Sequence, residues 1–112
     1  MADLDINEII RRMLTAARTE ASDLWPSIAG HVEAEATALA GTLSSINSRR
    51  LSGELNEHDA QLEFRAARNA ADAWIRSLEG AAQLKAESTI NAALLAVKDY
   101  VQEAIGWIIF PG

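Results

Sequence analysis

The sequence predicts an all-α fold, a long antiparallel helical hairpin that resembles a coiled coil. Apolar residues recur at alternating spacings of four and three along nearly the whole chain, which is the period of one face of a helix. A single turn-forming segment, residues 52–54, divides this pattern into two stretches, one from Ile6 to Ile46 and one from Ala60 to Ile108. Two stretches of similar length around one turn indicate two helices folded against each other.

The helix boundaries follow from capping residues. Asp5 precedes Ile6, and its carboxylate can accept hydrogen bonds from the free amide groups at a helix start. Gly53 can take the positive φ that a turn requires, and Asn56 with Asp59 three residues later resembles a capping box. We therefore expect one domain over residues 1–112, with a helix at about 5–47, a turn at 48–56 and a helix at about 57–109.

Pro26 and Gly80 interrupt these helices. In an antiparallel hairpin that turns at Gly53, residue i lies level with residue 106 − i, so Pro26 faces Gly80. Coincident breaks predict a hairpin kinked at both positions. The competing interpretation ends helices near Trp25 and Gly80 and gives a compact up-down bundle of four helices. The short segments available for those reversals favour the kinked hairpin.

Composition predicts self-association. The chain has 112 residues and is 49% apolar, but much of the apolar pattern is alanine, which buries little area per residue. A lone hairpin of this sequence would have a thin core. We therefore expect a homo-oligomer, with the chain itself as the principal partner.

Charge and cysteine content exclude several classes of function. The formal net charge is −6, and no face of either predicted helix gathers enough Lys or Arg for nucleic acid. There is no cysteine, so a disulfide framework or a thiolate site is excluded. No secretory signal and no apolar run long enough to cross a membrane is seen, so we expect a soluble, cytoplasmic protein.

Two polar residues fall within the apolar pattern. Glu20 and Lys85 lie almost level in the hairpin, because their numbers sum to 105. We expect an ion pair near the core that fixes the register of the two helices.

His31, Glu35 and Asp72 are weak candidates for a metal site. His31 and Glu35 share a helix face, and Asp72 lies near their level on the other helix. Carboxylate-bridged metal bundles use Glu-x-x-His motifs, however, and this sequence contains none. We expect no metal and no cofactor. Neither a glycine-framed nucleophile nor a glycine-rich phosphate loop is seen either, so we expect no enzymatic activity.

The C-terminal segment has the most conspicuous apolar cluster. In the hairpin, this segment projects beyond the first helix, leaving large side chains uncovered at Ile105, Trp107, Ile108, Ile109 and Phe110. Three arrangements can bury it: packing on a subunit or another protein, which we favour, contact with a membrane, or folding back on the chain.

These features predict a non-enzymatic, self-associating scaffold, adaptor or assembly subunit that docks through this segment. The alternatives are a carboxylate/histidine metal-binding bundle and a membrane-surface protein.

Overall fold

The computed structural model describes residues 4–110, and within this range the ordered elements are all helical. The helices are α1 (Ile6–Ala21), α2 (Trp25–Leu51), α3 (Glu57–Arg76) and α4 (Gly80–Ile105), with a short 3-10 turn at Ser22–Leu24. The all-α prediction is therefore confirmed. The ends of the predicted 1–112 domain lie outside the described residues.

The helices form an up-down bundle instead of the predicted extended hairpin. α1 packs against α2 and α4, α3 packs against α2 and α4, and α2 and α4 also meet across the bundle. The molecule measures 43 × 23 × 22 Å, whereas the predicted helices would be roughly 63 and 80 Å long. The prediction of continuous helices at 5–47 and 57–109 is therefore wrong, because each is divided into two antiparallel helices.

The first reversal lies at the 3-10 turn. Ser22 has φ 52° and ψ −121°, and is the one residue other than glycine with positive φ among the described residues. Pro26 follows within the first turn of α2, where its missing amide hydrogen breaks no hydrogen bond. Proline therefore opens a new helix here and does not kink a continuous one.

The second reversal lies at residues 77–79, between α3 and α4. Gly80 has φ 61° and is the first residue of α4. The predicted interruption is thus correctly placed, but the chain reverses there where a kink was expected.

Residues predicted to lie at the same height along paired helices are also paired in the bundle. The backbone amide of Asp5 in the α1 cap donates to the Tyr100 hydroxyl at 3.2 Å, and their numbers sum to 105. The His31 and Trp74 rings of α2 and α3 stack with centroids 5.2 Å apart, and their numbers also sum to 105. These contacts pair α1 with α4 and α2 with α3 at the predicted levels.

The predicted caps and central turn are present, with one shift. The Asp5 carboxylate accepts from the Asn7 amide at 2.9 Å, and the Asn56 side chain accepts from the Asp59 amide at 2.8 Å. α2 continues to Leu51, so the turn occupies residues 52–56, with Gly53 at φ 79°.

The bundle covers its own core. The largest fully buried apolar side chains come from all four helices and the C-terminal segment: Ile9, Met13, Val32, Leu39, Leu43, Ile46, Phe64, Ile90, Val97, Val101 and Ile109. The accessible surface is 6086 Å², close to the roughly 6,000 Å² that a folded monomer of 12.1 kDa exposes. Unlike the predicted hairpin, the bundle does not need a second copy to cover an exposed core.

Candidate interaction surface

The C-terminal segment folds back onto the bundle. α4 ends at Ile105, and Gly106 takes the left-handed conformation with φ 83°, donating its amide hydrogen to the Gln102 carbonyl at 2.8 Å. A left-handed residue after the last helical turn changes the direction of the chain, and glycine adopts it without strain. The following residues consequently run back toward the start of α3.

Hydrogen bonds hold this segment in place. The Gln102 side-chain oxygen accepts from the backbone amides of Ile109 and Phe110, each at 3.2 Å. The Ile108 amide donates to the Glu57 carboxylate at 2.9 Å, and the Ile108 carbonyl accepts from the Gln61 amide group at 2.7 Å. The segment is therefore anchored to both α3 and α4.

The apolar side chains of the segment are mostly covered. Ile105, Ile109 and Phe110 are buried, and the Phe110 ring lies 4.6 Å from the Phe64 ring. Trp107 is half-buried against the core, and only Ile108 is strongly exposed. The prediction of an uncovered docking segment is therefore wrong for all but Ile108, because the turn at Gly106 returns the chain to the bundle.

Phe110 of the folded-back segment lines a groove between α3 and α4. The groove has a volume of about 480 Å³, and its apolar walls are Phe64, Leu94, Leu95 and Phe110. Its polar lining consists of Arg68, Asn91 and Lys98. The groove is thus an apolar depression whose charged lining residues are both basic, on a chain of net charge −6.

Two leucines of α4 are strongly exposed, Leu95 in the lining of this groove and Leu84 three turns before it. Leu84 is 70% exposed and Leu95 is 71% exposed, more than any other large apolar side chain of the described residues. They are eleven residues apart, which is three helical turns, so both lie on the same outward face of α4. We define the groove together with Leu84 and Leu95 as the α3–α4 face.

Hydrogen bonds fix the polar wall of the groove. Arg68 donates to the Asp72 carboxylate at 3.1 Å and to the Asn91 side-chain oxygen at 2.8 Å, which ties α3 to α4. Because the Asn91 oxygen is occupied by Arg68, its amide group is oriented to donate elsewhere.

The predicted register pair meets, but in a different way. The Lys85 ammonium donates to the backbone carbonyl of Glu20 at 3.4 Å. The ion pairs of the described residues include no contact between the two charged groups. The two residues lie at the same height, as expected, but Lys85 contacts the backbone carbonyl of Glu20 and not its carboxylate.

The metal candidates do not converge. His31 stacks on Trp74 toward α3, whereas Asp72 is held by Arg68 on the side of α3 that faces α4. In residues 4–110 no group of three or more His, Cys, Asp or Glu side chains is placed to hold a metal ion, so Glu35 has no such set to join.

Ionic contacts elsewhere join neighbouring turns and helices. Hydrogen bonds from Arg11, which has the larger effect, and from Arg12 lower the pKa of Glu8 to about 2. Arg49 of α2 binds Glu63 of α3 through both guanidinium NH2 groups, and this contact lowers the pKa of the Glu63 carboxyl. Both carboxylates are therefore engaged in structural pairs.

The α3–α4 face was missed at the sequence level. Leu84 and Leu95 lie outside the main apolar stripe, and the groove depends on the return of Phe110 to Phe64, which sequence spacing does not show. The signal available in the sequence was the pair Leu84 and Leu95, which lies on the side of α4 opposite the main apolar stripe.

None of the described helices is sufficiently long and apolar to cross a membrane. Comparison of the chain with protein-family models, with curated proteins and with solved structures gave no match.

Proposed function

We propose that the chain is a non-enzymatic, self-associating helical module, an assembly subunit or adaptor, that binds through its α3–α4 face. One observation carries the proposal: the two most exposed large apolar side chains of the described residues, Leu84 and Leu95, share one face of α4, and Leu95 lines an apolar groove. Single exposed leucines are ordinary on protein surfaces, but apolar groups gathered beside a groove mark interaction sites.

The arrangement of charge supports an interaction site here. Lys98 and Arg68, the latter paired with Asp72, line the groove, while the chain as a whole is acidic. Like charge over most of the surface opposes association of two copies, so contact is least opposed where the surface is not acidic. This charge distribution supports the α3–α4 face as the surface of association in preference to the other faces of the bundle.

The proposal moves the binding element away from the C-terminal segment. Ile109 and Phe110 are buried, and the Phe110 ring packs on Phe64, so the segment does not project toward a partner. In the folded molecule the segment instead forms one wall of the groove. The segment thus contributes to binding by shaping the surface on which a partner sits.

Sedimentation velocity over about 1 to 500 µM tests this proposal. The variant Leu84→Glu/Leu95→Glu places carboxylates on the face, and Leu62→Glu is the matched control, since Leu62 is an exposed leucine of α3 that does not line the groove. We expect the wild type and the control to dimerise with rising concentration and the double variant to stay monomeric.

Circular dichroism should show the same helical content in all three proteins, because the substituted side chains are exposed. A wild type that stays monomeric throughout the concentration range contradicts the proposed function. So does a double variant that associates as strongly as the control.

A further inference from the structure

Resting on the proposed function, we infer that the occupant of the α3–α4 face is a second copy of this chain, bound so that the two α4 helices run antiparallel. In this arrangement Leu84 of each copy lies against Leu95 of the other, at the edge of the groove. The interface is isologous, so both copies use the same residues.

The residues on the outward face of α4 form a short apolar and polar stripe. Leu84, Ser88, Asn91 and Leu95 follow each other at spacings of four, three and four. At 100° per residue these positions fall within a narrow sector of the helix, and the two leucines lie about 16 Å apart along it. The stripe is therefore long enough to contact three turns of a partner helix.

The order of side chains in this stripe is the same in both directions. A leucine stands at each end and a small polar residue stands at each inner position. If two such helices pair antiparallel about the midpoint between Thr89 and Ile90, residue i lies level with residue 179 − i. Leu84 then meets Leu95, and Ser88 meets Asn91, twice in each dimer.

The hydrogen-bonding groups at the centre are complementary. The Ser88 hydroxyl donates to the Lys85 carbonyl at 3.1 Å, which leaves its oxygen lone pairs as acceptors. The Asn91 oxygen accepts from Arg68, which leaves its NH2 group as a donor. Asn91 of one copy can therefore donate to Ser88 of the other, and a central polar pair of this kind fixes the register of paired helices.

The ends of the stripe fit the same arrangement. Leu95 lines the groove, so a Leu84 side chain arriving from the second copy is placed beside Leu94 and the groove's apolar wall. Lys98 lies one turn beyond Leu95 and, by the same rule, level with Ala81 of the second copy.

Disulfide trapping tests this geometry, because the chain contains no cysteine of its own. We would prepare Leu84→Cys and Leu95→Cys, oxidise each alone and as an equimolar mixture, and compare the yields of disulfide-linked dimer by non-reducing electrophoresis. Each mixed dimer keeps one leucine pair intact. Leu62→Cys mixed with Leu84→Cys serves as the control for random collision.

The antiparallel pairing predicts that the equimolar mixture of Leu84→Cys and Leu95→Cys gives at least five times as much disulfide-linked dimer as either variant alone or as the control. Same-site cysteines would lie about 16 Å out of register, too far for a disulfide. Preferred same-site dimers overturn the pairing. So does a wild type that dimerises in sedimentation while no mixed crosslink forms, and this outcome leaves the proposed function standing. A monomeric wild type overturns both.

Discussion

Removing the Phe110 ring tests the folded-back C-terminal segment. Phe110 is 6% exposed and packs on Phe64, itself 1% exposed, at a centroid distance of 4.6 Å. Truncating a buried phenylalanine to alanine costs about 3 to 5 kcal/mol. Because Phe110 lies near the chain end, the segment can relax around the lost ring, so we expect Phe110→Ala to lower the free energy of unfolding by about 3 kcal/mol.

For a domain of this size, that loss corresponds to a Tm about 13 °C lower. Urea unfolding followed by circular dichroism measures the change. The control is Ile108→Ala in the same segment, because Ile108 is 65% exposed and its truncation should change stability by less than about 0.5 kcal/mol. Equal losses in both variants, or no loss in Phe110→Ala, would refute the packing of this segment.

Two further substitutions test the first reversal and the ionic contacts of α1. Ser22→Gly should raise the free energy of unfolding by about 1 kcal/mol, because glycine relieves the strain at φ 52°, although its larger chain entropy offsets part of the gain. The control Ser27→Gly, within α2, should lower the free energy of unfolding by about 0.5 to 1 kcal/mol. Urea unfolding measures both changes, and a loss of stability in both variants would refute the strain assigned to Ser22. The folded-state pKa of Glu8, about 2, lies below its ordinary 4.5, so the stability it contributes is present above about pH 4.5 and is lost as the pH falls toward 2. The Tm of Glu8→Gln, followed from pH 6 to pH 2, should therefore fall less steeply than that of the wild type, and an unchanged slope would show that the contacts with Arg11 and Arg12 do not form in solution.

Local sequence signals predicted that the chain is helical, the caps of α1 and α3, and the levels at which the helices pair. The apolar period depends only on neighbouring turns, and Asp5 and Asn56 cap their helices with their own side chains. The sum rule around Gly53 also describes contacts between α1 and α4 and between α2 and α3. These features are set by residues close in sequence or by a single turn.

The reversals were harder to predict, because they depend on packing across the whole bundle. Ser22 takes a positive φ that serine rarely adopts, and only three residues separate α1 from α2. The reversal allows α1 to pack between α2 and α4, and local sequence patterns do not predict these contacts.

The covered C-terminal segment depended on contacts between distant residues. Gly106 was a visible signal for a helix end, but the anchoring of Ile108 by Glu57 and Gln61 joins residues about fifty positions apart. Treating Gly106 as part of a continuous helix produced the prediction of an uncovered end. The same error hid the groove, since Phe110 forms one of its walls.

The folding of the chain back on itself is the central claim, and a single distance tests it. Asn7 lies 14 residues before the end of α1 and Ala38 lies 13 residues after the start of α2, both exposed. Spin labels on Asn7→Cys/Ala38→Cys can be measured by double electron–electron resonance. The bundle, only 23 × 22 Å across, predicts a distribution centred below about 30 Å with the label arms included. A distribution near 46 Å, the length of a continuous helix between these residues, would contradict it.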